Sequence, residues 1–564
     1  MSADPHPDPA PIAILTGADV LARRLHMAGA RHAFGIPGGE VLALIEALER
    51  VGIAFHLARH ENAAGFMAEG CWHATGSLPV LVATVGPGIA NAFNVIANCE
   101  QDRVPLIAIS GMIDPVEAAR YTHQVFDHGA AMASVTKFSI RLAAGAVDVQ
   151  AAKAIRLALA PRQGPVHLDL PIAVATGAEP AAEPGPYHAP LAPGLPAPAE
   201  GPVLEAARTL WRSSRRRVAM AGLDVLAEPG GAEAVAGFCR RHNVPLVTTY
   251  KGKGILPEDD PLALGGHGLS PKADRAILPV FDKADCILSL GYDPIEMRTG
   301  WQDPWDPARV IEIAPVANDH DMHAADMPLI SGVSAGLTAL EAAGRDASSD
   351  EAGWHRRYRK AFDEAFAPGE AGPDAAMAAM LAALPEDAVA TVDSGAHRIL
   401  LSEMPFARVP RQLMQSTGLC TMGCALPLAL GHAIGDRAEA RGRVAVAFMG
   451  DGCAEMVLGE LATLRDAMAD GIAAPVVMVV FVDASLALIE MKQRRDQRPN
   501  AGVDYARATD FAALGRLFGG HAETVEATAE AGPALERAIE AARAGPGFSV
   551  LAVRLPRRAY DGLI

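Results

Sequence analysis

A chain of 564 residues is too long for one hydrophobic core and, at the usual domain size, implies about three. Half of its residues are hydrophobic and a fifth are charged, which excludes a disordered or fibrous chain. Its formal charge of -17, with no long basic run, speaks against a general nucleic-acid role, and apolar runs such as PVVMVVFV at 475–482 are too short to cross a bilayer.

Taken in chain order, the opening MSADPHPDPAP lacks the basic start and apolar stretch of a secretion signal. The seven cysteines are an odd number without a C-x-x-C pair, and read as free buried thiols in a reducing compartment. Both features point to the cytoplasm. Short apolar runs then alternate with longer helical stretches: VLVAT at 80–84, PLIAIS at 105–110, VHLDL at 166–170, VAVAF at 444–448 and VVMVVFV at 476–482. Continuous apolar strands separated by helices predict parallel sheets covered on both faces, an α/β protein of doubly wound domains. A Pro- and Ala-rich linker at 177–201 and a polar stretch at 343–353 divide the chain into segments 1–180, 200–342 and 365–564. The first and last segments each read as an independent α/β layer.

The last segment carries the most telling residues. Strand VAVAF runs into M-G-D-G-C (449–453), followed by a stretch in which Met456, Leu458, Leu461 and Leu464 have helical spacing. A strand ending in Gly450-Asp451-Gly452-Cys453 before a helix offers backbone N–H groups to an anion. The Asp451 carboxylate makes sense there if a hard divalent cation bridges it to phosphate oxygens. The next strand ends at V-D-A-S (482–485), placing Asp483 and the Ser485 carbonyl as further oxygen ligands where open parallel sheets bind ligands. The plainer alternative is a strand-to-helix turn with Asp451 as a helix cap.

Gly-Asp-Gly followed some thirty residues later by an acidic residue after an apolar strand resembles the thiamine-diphosphate binding motif. Three stretches of the first segment match the same superfamily: F-G-I-P-G-G (34–39), L-A-R-H-E-N-A-A-G-F-M-A-E-G (57–70) and T-V-G-P-G-I-A-N (84–91). The resemblance implies three doubly wound domains: pyrimidine-binding, central and diphosphate-binding. It makes Glu61 the carboxylate that activates the cofactor through its far ring nitrogen, in a site with little water. Gly38 and Gly39 become backbone donors near a reacting carbonyl. In S-T-G-L-C-T-M-G-C-A-L-P (416–427), Met422 would prop the cofactor into its bent shape, with backbone groups of Cys420 and Met422 bonded to the aminopyrimidine. In D-S-G-A-H (393–397), Gly395 and His397 would contact the diphosphate. The family implies magnesium held by Asp451, Asp483 and Ser485. It also implies a homodimer or homotetramer whose site lies between subunits.

The middle segment, with K-G-K-G-I-L-P-E-D-D-P-L (251–262) and L-S-L-G-Y-D-P-I-E (288–296), is similar to acetolactate synthases of the catabolic, flavin-independent type, which argues against bound FAD. The resemblance therefore implies a transferase that decarboxylates a 2-oxo acid, pyruvate first, and ligates the remainder to a second carbonyl. Gln124, in Y-T-H-Q-V-F-D-H (121–128), matches a glutamine that faces substrate. His123 stands where synthases carry Phe, and as a proton donor would turn the enzyme into a lyase releasing an aldehyde. An acetyl-transferring relative and a catalytically silent cofactor-binding protein are the remaining alternatives. Lys492 replaces a specificity tryptophan of the biosynthetic synthases, which puts a branched-chain biosynthetic role in doubt.

Overall fold

The computed structural model describes residues 15–179, 194–344, 351–545 and 547–564. Much of the Pro- and Ala-rich linker and the middle of the polar stretch at 343–353 lie outside the described residues. The remainder forms three six-stranded sheets in which every pairing is parallel. Helices cover both faces, as the continuous apolar strands predict.

The first sheet runs, from edge to edge, Ala54–Leu57, His32–Gly35, Val80–Ala83, Ile107–Met112, Val166–Pro171 and Phe138–Arg141. The last runs Leu413–Gln415, Val389–Val392, Ala445–Gly450, Val476–Val482, Phe548–Arg554 and His521–Val525. Numbered within each domain, both follow the order 2-1-3-4-6-5. The middle sheet differs, with order 3-2-1-4-5-6 from Arg217–Ala221 onward. In all three, the strand order reverses at a point where the carboxyl ends of two strands leave a crevice.

The first and last domains are not independent layers. One continuous buried cluster joins Phe66 and Met67 of the first to Leu428, Leu430 and Ile434 of the last. Its axis is a helix pair, Glu61–Thr75 against Ala425–Ala438. Gly70 and Gly431 bring the two backbones together: a Cβ on Gly431 would sit 2.0 Å from the Met67 carbonyl oxygen. A second difference follows the Gly-Asp-Gly turn. One helix is expected there, but a short helix Asp451–Glu455 is followed by a turn and then Glu460–Ala469. Met456 falls in that turn and is 63% exposed, whereas Leu461 and Leu464 are buried as their spacing predicts.

All seven cysteines are free thiols and six are buried. Among the described residues no helix is long and apolar enough to cross a membrane.

Candidate active site

The third domain carries a cavity of about 130 Å³ at the reversal point of its sheet. Strand Val389–Val392 ends at Asp393-Ser394-Gly395, and its neighbour Ala445–Gly450 ends at Asp451. Gly395, His397, Met422, Gly450, Asp451, Gly452, Cys453, Asp483 and Ser485, all singled out from sequence, line this one space. Cys420 does not. Its thiol instead sits 3.1 Å from an Arg398 guanidinium nitrogen and donates to the Thr417 carbonyl.

The turns that hold the carboxylates are built by their own hydrogen bonds. Asp451 accepts from the backbone N–H of Gly452 (2.8 Å) and of Ala484 (2.7 Å), so the first turn is tied to the second. Ala484 pays for that contact with a φ of +53°. Asp483 accepts from Ser485 N at 3.0 Å. Burial raises the Asp451 pKa above the ordinary carboxylate range. Burial and the neighbouring Asp451 charge push Asp483 to about 7. These are two buried acids that destabilise each other's charge.

On the opposite wall, the His397 ring lies between Gly395 and Gly450, where a Cβ on Gly395 would approach Cε1 to 2.6 Å. Burial, then the Arg398 charge, lowers its pKa to about 3. Its Nε2 is buried without a partner. Asp393, named only as part of a loop by sequence, gathers the backbone N–H groups of Ser394, Gly423, Cys424 and Ala425. It thereby fixes the end of the Met422 loop to the strand end that carries Gly395. Phe481, Leu486 to Ile489 and Tyr560 also line the cavity, and the Tyr505 hydroxyl covers Gly452 so closely that a Cβ there would lie 2.3 Å away. No motif marked these aromatic residues. Lys492 is exposed and beyond the lining stretch 486–489.

The first-domain residues gather elsewhere, around the loop 84–91. Glu61, 6% exposed at the start of its helix, accepts from Asn91 Nδ2 at 3.0 Å, and Gly88 leaves its carboxylate room. Gly38 packs on Thr84, where a Cβ would lie 2.1 Å from the hydroxyl, and that hydroxyl donates to Glu40 at 2.6 Å. Gly39 faces open space. Gln124, at φ +60°, has its carbonyl against Gly86, and both Gln124 and His123 are exposed. None of these residues lines the third-domain cavity. The residues thus fall into two separate groups, an acidic one lining the third-domain cavity and one around a buried glutamate in the first domain.

Three parallel α/β sheets, with a Gly-Asp-Gly turn on one and a buried helix-start glutamate on another, define a thiamine-diphosphate enzyme. Family models agree along the chain. Residues 15–131 match the thiamine pyrophosphate enzyme N-terminal TPP binding domain, 204–340 its central domain and 393–553 its C-terminal TPP binding domain. A probable 2-ketoarginine decarboxylase of Pseudomonas aeruginosa is 30% identical over 90% of this chain and 88% of its own. The acetolactate synthase of Bacillus subtilis is 26% identical over 93% and 91%, and the isozyme 1 large subunit of Escherichia coli 27% over 96% and 94%. The chain belongs to the thiamine-diphosphate-dependent enzymes of the acetolactate synthase type.

Proposed function

We propose that this protein decarboxylates a 2-oxo acid, pyruvate first, and ligates the remaining two-carbon unit to a second carbonyl, using thiamine diphosphate and magnesium. The carrying observation is that Asp451, Asp483 and Ser485 line one cavity together with His397, whose Nε2 is buried without a partner. Two adjacent buried carboxylates and the Ser485 carbonyl suit a hard divalent cation, which keeps its other positions for phosphate oxygens and water. Backbone N–H groups of the 450–453 turn, with Gly395 and His397, suit the diphosphate. Thiamine diphosphate held there would supply a nucleophilic carbon and an electron sink for the decarboxylation.

The chain's residues do the rest. Glu61 would hold a proton toward the cofactor's pyrimidine, Met422 would support the cofactor from the cavity wall, and Gln124 would orient the carbonyl of the incoming substrate. Gly38 and Gly39 offer their backbone N–H groups to that oxygen. Apolar Leu486 to Ile489 exclude water beside the reacting centre.

Because the cavity is lined by third-domain residues alone, Glu61 reaches it from a second copy of the chain, in a homodimer or larger homo-oligomer. Exposed Phe93, two residues after Asn91, and exposed Met456, beside the Gly-Asp-Gly helix, are the apolar surface such a contact would cover. Flavin is outside this reading. At the reversal point of the middle sheet Asp224 and Asp293 are paired to Arg162 and Arg103 of the first domain. These pairs join the first and middle domains and are compatible with a flavin-independent enzyme.

A second reading, aldehyde release, is favoured by one observation: exposed His123 stands beside Gln124 and has a proton donor's chemistry. A screen of 2-oxo acids with products identified by mass separates the two, with Glu61→Gln as control. Ligated hydroxy-ketone acids are expected; free aldehyde as the main product would establish the second reading, and no CO2 from any 2-oxo acid would sink both.

A further inference from the structure

The segment after middle-domain strand Leu246–Thr249 reads Tyr250-Lys251-Gly252-Lys253. Both lysines are buried, Lys251 at 9% and Lys253 at 3% exposure, and both reach out of their own domain. A buried ammonium is costly unless paired, so each needs a reason to be there. Lys253 bonds Glu258 at 2.8 Å and the carbonyls of Ser402 and Met404 at 2.6 and 3.0 Å. It ties the middle domain to the back of the third.

Lys251 does something else. Its ammonium lies 2.8 Å from Asp102, the residue that closes first-domain helix Pro87–Gln101. The same Asp102 carboxylate accepts from Gly418 N at 2.9 Å and from the Thr417 hydroxyl at 3.1 Å, both in the third domain. One turn earlier, Asn98 accepts from the Ser416 hydroxyl at 2.5 Å. The contact is close enough that only glycine fits at 418, where a Cβ would lie 2.5 Å from Gln101 Cβ. One carboxylate is therefore shared by all three domains, and the loop it grips, 416–422, ends at Met422 in the cavity wall. Burial works against the charge on Lys251, but Asp102, Glu69 and Glu296 outweigh it and raise its pKa. Burial holds Glu69 and Glu296 toward their neutral forms, at about 8 and about 7.

We propose that Lys251, acting through Asp102, is a positioning residue for the cofactor: it sets the start of the 416–422 loop and hence where Met422 stands. Lys251 balances the Asp102 charge and holds that carboxylate against two donors of the loop. Remove the ammonium, and Asp102 is left buried and uncompensated. The loop then loses the anchor at residues 417 and 418 without any change in the residues that line the cavity. The inference rests on the reading of that cavity as the thiamine-diphosphate site.

The test uses the full-length protein at fixed magnesium, with thiamine diphosphate titrated against tryptophan fluorescence and the cofactor-free protein melted in parallel. Wild type, Met422→Ala, Lys251→Met, Lys251→Arg and Lys253→Met are compared. Lys251→Met is expected to weaken uptake about tenfold or more, as Met422→Ala does, and Lys251→Arg to regain most of it. Lys253→Met, an equally buried lysine in the same segment, is expected to lower Tm with its Kd within about twofold of wild type. Should Lys251→Met fail to fold, Thr417→Val removes one donor to Asp102 and is expected to weaken uptake about threefold. A Lys251→Met (or Thr417→Val) Kd equal to that of wild type overturns this inference alone. Absence of uptake by the wild type overturns the cofactor reading and this inference together.

Discussion

The first and third domains share one strand order and yet present opposite chemistry at the carboxyl ends of their strands. The third ends its strands in acids and glycines, with Asp451 and Asp483 lining a small cavity and Asp393 buried beside its wall at residues 394–397. The first places glycines and hydroxyls there and sets its one essential carboxylate, Glu61, at a helix start under Asn91. Fold alone therefore assigns no role. On the proposed reading, the same sheet serves as the clamp for the charged end of a coenzyme in one domain and as the activator of its ring in the other. The difference lies in a few residues after each strand.

The sharpest way to break the comparison is to disable each half separately. Asp451→Ala should abolish the clamp: thiamine-diphosphate and magnesium affinity, measured by titration calorimetry, should fall about a hundredfold or more. Glu61→Gln should leave that affinity nearly intact while kcat falls about a hundred- to ten-thousandfold. A variant of Glu61 that lost binding as completely as Asp451→Ala would contradict the division of labour.

How the halves are held together gives smaller effects. Gly431→Ala puts a methyl group against the Met67 carbonyl in the helix pair that joins the two domains. A loss of about 1–3 kcal/mol is expected by urea denaturation, with cofactor affinity moving less than stability. Glu69, buried in the same helix pair, gives the most specific signal, one that is read as a slope with pH. Its pKa in the folded chain is raised to about 8 from 4.5, mainly by burial. The fold therefore binds that proton more tightly than the unfolded chain does. The stability it contributes is present in full at low pH and is lost as pH climbs from 4.5 toward 8, at on the order of 1 kcal/mol per pH unit. Glu69→Gln mimics the neutral form and should flatten that slope between pH 5 and about 8. An unchanged slope would remove Glu69 from the cluster around Lys251.

Much of this was legible in the chain because the chemistry is local. Strand, Gly-Asp-Gly, strand and Asp483 lie within forty residues, and the apolar runs that carry them are continuous. Glu61 was legible only through its neighbours in the helix start. What escaped is what distance in the chain conceals. Asp102, Lys251 and Gly418 are brought to one point by three domains, and none carries a periodic or compositional signal. Tyr505 and Tyr560 come to the cavity from loops with no motif at all. The helical spacing from Met456 to Leu464 predicted a single stripe, but a turn at 456–459 leaves Met456 outside it.

The central claim is that Glu61 of one copy serves the Asp451 cavity of another, and co-expression of two dead variants tests it most directly. A mixed dimer of Glu61→Gln with Asp451→Ala contains one site with both wild-type residues and one with neither. Random pairing should restore about a quarter of wild-type turnover. No activity above the separate variants, in protein shown by mass to contain mixed dimers, would place both residues in the same chain's site and contradict the account.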